Sequence, residues 1–80
     1  MLQVTIRDRT GEQFAGPAKA VTCVNEKGRF DVLSQHANFI STIKDKVTIH
    51  LPESGIKEFN FENGVIQVSS DNVVIYLGVL

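Results

Sequence analysis

Apolar and polar residues alternate along most of this chain. This is the period of two that turns one face of a strand to a core and the other to water. Leu2, Val4 and Ile6 alternate with Gln3, Thr5 and Arg7. Val21 and Cys23 flank Thr22, and Phe30 and Val32 oppose Arg29 and Asp31. Val47, Ile49 and Leu51 face in against Thr48 and His50 facing out, and Phe59 and Phe61 share a face in the stretch from Ile56 to Phe61. Two last strands are expected over Val65 to Ser69 and Asn72 to Leu77. Arg9-Thr10-Gly11, Gly16-Pro17, Glu26-Lys27-Gly28, Lys44-Asp45, Pro52 to Gly55 and Ser70-Asp71 read as the intervening turns. Asn63-Gly64 is the sharpest turn signal and predicts a two-residue hairpin, since both residues tolerate positive φ. Pro17 has no N–H to give a ladder, which places it on an edge or in a turn. No window holds a helical period beyond a turn or two; Gln35 to Ile40 comes nearest and is too short to stand alone. The pattern predicts an all-β fold, a small two-layer antiparallel β-sandwich or barrel of about 8–10 short strands.

One stretch breaks the alternation. Val73 to Leu80 is apolar on both faces, although a sandwich strand has only one interior to face. Either the strand lies centrally and is covered on both sides, or one of two alternating sets, Ile75, Leu77 and Val79 or Val74, Tyr76 and Leu80, is left for a partner protein or for solvent. Tyr76 and Leu80 are the candidate contact residues of this run.

Composition narrows the function. Eighty residues make one domain, 1–80, with 42% hydrophobic residues, which is a globular and not a disordered content. Eight Lys and Arg against nine Asp and Glu leave a formal charge of −1. The basic residues are interspersed with acids, without the clustered footprint a nucleic-acid binder needs. The apolar run at the end is too short to cross a bilayer as a helix, and the N-terminus has no basic region leading into an apolar block. Cys23 has no cysteine to pair with and alternates with Val21 as a small core residue. A cytoplasmic location follows as the expectation.

Candidate chemistry is sparse. Asp31, Ser34 and His36 lie close along the chain, but a nucleophile, base and orienting group must face one another and come from distant segments in working triads. The alternative is that His36 fixes a chain corner by hydrogen-bonding backbone groups. His36, His50 and Cys23 lack the spacing of a metal site, and the dispersed glycines form no phosphate loop. No catalytic residue, metal or cofactor is expected.

The stretch from Gly28 to Ile43 carries more information. Gly28, Phe30, Val32, Leu33, His36 and Ala37 stand as in the pattern Gly-x-Phe-Gly-Val-Leu-Pro-Gly-His-Ala-Pro, and Ile43 replaces a later Leu. In this the chain resembles the N-terminal β-sandwich domain of the F-type ATP synthase epsilon subunit, called delta in mitochondria. Asp31, Ser34, Gln35 and Asn38 stand where that family has Gly, Pro, Gly and Pro. Losing these backbone-shaping residues predicts a corner that is looser or differently bent. The family also continues into an antiparallel helical hairpin, whereas this sequence stops at Leu80; regulatory work done by that hairpin is not assigned here.

The resemblance implies a non-catalytic rotor subunit of the central stalk. Such a subunit docks to the gamma subunit and the c-ring and helps couple ion transport to ATP synthesis. By position, the ring-facing loop maps onto Glu26, Lys27, Gly28 and Arg29, and the gamma-facing corner onto His36, Ala37 and Asn38. The chain would then be peripheral to the membrane through the complex. The alternative is a free-standing epsilon-like module with a different protein partner, for which the altered Pro and Gly positions argue.

Overall fold

The computed structural model describes residues 1–78, and within them every regular element is a strand. They are β1 (Leu2–Asp8), β2 (Gly11–Ala18), β3 (Ala20–Asn25), β4 (Gly28–Leu33), β5 (Phe39–His50), β6 (Ile56–Ser69) and β7 (Asn72–Leu77). They form one ladder in the order β2-β1-β7-β6-β5-β3-β4. The pairs are antiparallel except β1 with β7, where Gln3 to Arg7 run parallel to Asn72 to Tyr76. A parallel pair needs a long crossover, and all the chain from β2 to β6 supplies it.

The strands are fewer and longer than the pattern predicts. Phe39 to Ile43 and Lys46 to His50 join in one strand, and so do Ile56 to Phe61 and Val65 to Ser69. The bend between the halves is absorbed without breaking the ladder. Asp45 takes φ +69°, and the β5–β6 register shifts between Lys44 and Asp45, leaving Glu62 as the extra residue opposite. A bulge of this kind bends both strands and lets them pass from one layer to the next.

Asn63-Gly64 is accordingly not a hairpin turn. Both residues lie within β6, and Gly64 is not among the glycines with positive φ. It is glycine for a different reason: a Cβ there would sit 2.6 Å from the Tyr76 carbonyl oxygen and 3.5 Å from Ile43 Cγ1. Two-residue hairpins are at Arg9-Thr10, where Asp8 pairs with Gly11, at Glu26-Lys27, where Asn25 pairs with Gly28, and at Ser70-Asp71, where Ser69 pairs with Asn72.

The bent β5 and β6 divide the sheet into two layers. One holds β2, β1, β7, residues 64–69 and residues 39–44; the other holds residues 56–61, residues 45–50, β3 and β4. Both contribute to one core. Leu2, Val4, Ile6, Ile43, Ile66, Val68, Val73 and Ile75 come from the first, and Val21, Cys23, Val32, Val47 and Ile49 from the second. Aromatic contacts join the layers: Phe14 meets Phe59 edge-on at 6.5 Å between centroids, and Phe30 meets Phe39 at 5.8 Å. Pro17 sits in β2 opposite Gln3, tolerated because β2 is a terminal strand of the ladder. Thr48, expected to face water, is 7% exposed; it lies on the outer face, with its hydroxyl 3.5 Å from Glu58.

Candidate partner-docking site

β4 ends in the corner that carries His36, Ala37 and Asn38. Little of it is closed by its own backbone: the His36 N–H reaches the Leu33 carbonyl at 3.2 Å. The rest is held from the β6–β7 turn. Asp71 Oδ1 accepts the Gln35 N–H at 2.8 Å, and Asp71 Oδ2 accepts the Ser34 hydroxyl at 3.0 Å. The N-terminal ammonium of Met1 donates to the same Ser34 oxygen at 3.2 Å. Asn38 Oδ1 returns the contact by accepting the Ser70 N–H at 2.8 Å. The Asp71 carboxyl is held below its ordinary value of 3.8, chiefly by the Gln35 N–H, then by the Ser34 hydroxyl and the N-terminal charge. Ser34, Gln35 and Asn38, the residues that replace the family's Pro, Gly and Pro, make these bonds. The corner, expected to be looser or differently bent, is held by these bonds from the β6–β7 turn.

His36 is half-buried in this corner. Its Nδ1 lies 2.7 Å from the Ala37 carbonyl, which can only accept, so Nδ1 carries the hydrogen. The ring rests on Phe39 at 4.8 Å between centroids, and Phe39 in turn rests on Phe30. Ala37 and Asn38 are exposed beside it.

The Glu26-Lys27 tip lies at the other end of β4, about 17 Å away at the rise of an extended strand. It is closed locally, Asn25 Oδ1 accepting the Lys27 N–H at 2.9 Å, while Asn25 Nδ2 approaches Ser41 Oγ at 3.4 Å. Gly28 has φ +119°, a conformation that favours glycine. Glu26, Lys27 and Arg29 are exposed. An open groove of about 420 Å³ separates Glu26 and Lys27 from Phe39, Ile40 and Thr42. The structure thus keeps the two expected contact regions apart, one at each end of a single strand.

β7 resolves the choice posed by its doubly apolar run. Val73, Ile75 and Leu77 are buried in the core, and Val74 and Tyr76 face out, Tyr76 being 40% exposed. Across the ladder Tyr76 neighbours Val65 and Arg7, and Val74 neighbours Thr5 and Gln67. With Ile40, 68% exposed on β5, they form a largely uncharged outer face. Leu80, the other candidate of this set, and Val79 lie outside the described residues.

The polar face of the other layer holds a constellation that sequence reasoning missed. Thr22 Oγ1 donates to Asp31 Oδ1 at 2.6 Å and lies 2.9 Å from His50 Nε2. A hydroxyl has one hydrogen and a carboxylate none to give, so Nε2 carries the hydrogen toward Thr22. This is a chain of donors ending on Asp31, and His50 takes no proton from the threonine. Its partners sit on three strands and meet only through register, so no spacing in the sequence announces them. Lys46 and Glu58 pair beside it at 3.6 Å.

Asp31, Ser34 and His36 do not converge: they engage Thr22, Asp71 and the Ala37 carbonyl respectively. Among the described residues no three His, Cys, Asp or Glu side chains gather as a metal site. Cys23 is buried, and burial, with Asp31 nearby, pushes its thiol up to about 12, leaving it protonated and unreactive.

A family model described as the β-sandwich domain of the ATP synthase delta/epsilon chain matches residues 1–78. No curated protein sequence matches the chain. Among solved structures, it is similar to a chain of the Euglena gracilis mitochondrial ATP synthase in an OSCP/F1/c-ring structure, with TM-score 0.88 and 15% identity over 95% of this chain and 49% of that one. It is also similar to a chain of the Tetrahymena thermophila mitochondrial ATP synthase central stalk/c-ring structure, with TM-score 0.80 and 13% identity over 95% of this chain and 62% of that one. At such identities the likeness is one of fold. The chain spans about half the length of the first structural relative and under two thirds of the second.

Proposed function

The chain belongs to the ATP synthase delta/epsilon family, and on that footing we propose that residues 1–80 act as a non-catalytic rotor domain of an F-type ATP synthase central stalk. The corner of His36, Ala37 and Asn38 docks the gamma subunit. The tip of Glu26, Lys27, Gly28 and Arg29 meets the c-ring, and the face around Tyr76 extends the contact. The observation that carries this reading is the family match over residues 1–78, and the placement of tip and corner at opposite ends of β4 is compatible with it. A body gripped at two ends transmits torque only if it deforms little, and a close-packed interior shared by both layers meets that need. Among the described residues no helix is long and apolar enough to cross a membrane. The proposed place of the chain is peripheral to the membrane through the complex, a reading that the family match supports.

Affinity capture of the tagged chain from its native cells tests this. Gamma and c-ring subunits should be retained together through salt washing. Recovery without gamma, or with an unrelated partner in its place, would overturn the rotor reading and favour the free-standing module.

A further inference from the structure

The corner proposed to meet gamma is not self-supporting. Gln35 stands in the left-handed region at φ +67°, a conformation disfavoured for a residue with a side chain. A local backbone bond from His36 to Leu33 is too little to hold it. Gln35 N–H, Ser34 Oγ and Asn38 Oδ1 all turn instead to the Ser70-Asp71 turn, 32 to 37 positions along the chain. That turn is itself anchored, since the Asp71 carbonyl accepts the Gln3 N–H at 2.8 Å and Ser69 pairs with Asn72 across it.

We propose that Asp71 is the positioning residue of the corner. Its two carboxylate oxygens grip Ser34 and Gln35 and so fix how His36, Ala37 and Asn38 are presented to a partner. A carboxylate suits this task because it only accepts and has two oxygens to offer, matching one hydroxyl and one amide that both need an acceptor. The Met1 ammonium donates to the same serine oxygen and strengthens the arrangement from the other side. Where glycine would adopt positive φ unaided, glutamine is kept there by Asp71. This inference rests on the corner being the gamma contact, but the latch itself belongs to the free chain.

The test compares the wild-type chain with Asp71→Ala, Asp71→Asn and the double variant Asp71→Ala with Gln35→Gly. Amide hydrogen exchange is followed residue by residue on the chain alone, and affinity for purified gamma is measured separately. Asp71→Ala should speed exchange at Gln35 and His36 by about tenfold, the factor one charge-assisted hydrogen bond supplies. Val4 and Ile75 should stay protected, and gamma affinity should fall by a similar factor. Asp71→Asn keeps one acceptor oxygen and should recover part of both losses. The double variant should recover gamma affinity without recovering the bond. Unchanged exchange at Gln35 in Asp71→Ala would overturn the latch, as would uniform loss of protection across the sheet, or failure of Gln35→Gly to restore affinity. A wild-type chain that ignores gamma while the exchange pattern holds overturns the docking assignment and leaves the latch standing.

Discussion

The tip at Glu26-Lys27 is closed by its immediate neighbours, with the Asn25 side chain taking the Lys27 N–H and Gly28 supplying the positive φ. The corner at 34–38, on the other end of β4, is closed by Ser70 and Asp71 from the far side of the chain. The first kind of turn forms as soon as its hairpin does. The second exists only after β6 and β7 are in place, because its bonds close long loops whose entropy must be met by the rest of the fold. Two surfaces proposed for docking thus differ in what holds them: one carries its shape locally, the other borrows it.

Tip and corner both depend on Gly64, beside the bend where β6 passes between layers. Gly64→Ala drives a methyl against the Tyr76 carbonyl and should cost about 2–3 kcal/mol. The urea midpoint would show it, and tip and corner amides should lose protection together. Gly28→Ala should strike the tip alone. No atom lies within 4 Å of its new methyl, so the cost is backbone strain, about 1–2 kcal/mol, with corner amides unmoved in exchange measurements. Asn38→Ala does the reverse. It leaves the Ser70 N–H without its acceptor at a cost of about 1 kcal/mol, and corner and Ser70 exchange should rise while the tip stays as it was.

Acid should also separate the two regions. The Asp71 carboxyl is held below its free value of 3.8 in the folded chain. The unfolded chain therefore binds more protons around that pH, and stability falls as pH drops. The contribution is complete above the ordinary carboxylate range and is lost as pH passes below it. Asp8, lowered by its bonds to Thr10 and Gln13, behaves alike at the β1–β2 turn. A pH titration followed by amide shifts should loosen the corner in wild type and show no such step in Asp71→Asn; an identical titration in both would refute the assignment. Smallest of all, Lys27→Ala should change stability by less than about 0.5 kcal/mol, while weakening c-ring retention in the salt-washed complex if the tip docks there.

Much of this was open to reading from period alone. Leu2, Val4 and Ile6, Val21 and Cys23, Val32, and Val47 and Ile49 were each marked as inward by alternation, and each is buried. The hairpins at Glu26-Lys27 and Ser70-Asp71 were marked by turn residues. Gly64 misled for a physical reason: glycine signals both positive φ and close backbone approach, and only the neighbouring strand shows which applies. Thr22, Asp31 and His50 were invisible as a group because nothing but register across β4, β3 and β5 brings them together.

Side-chain alternation and turn chemistry act within a few residues. They therefore determined the strand class, the buried face and the local hairpins of this protein by themselves. Which strands continue through the bend at Asp45, that β1 lies parallel to β7, and that Asp71 reaches Ser34 and Gln35 were decided only when the layers closed. Those outcomes depend on contacts between residues tens of positions apart, and such contacts are chosen by how the whole core packs.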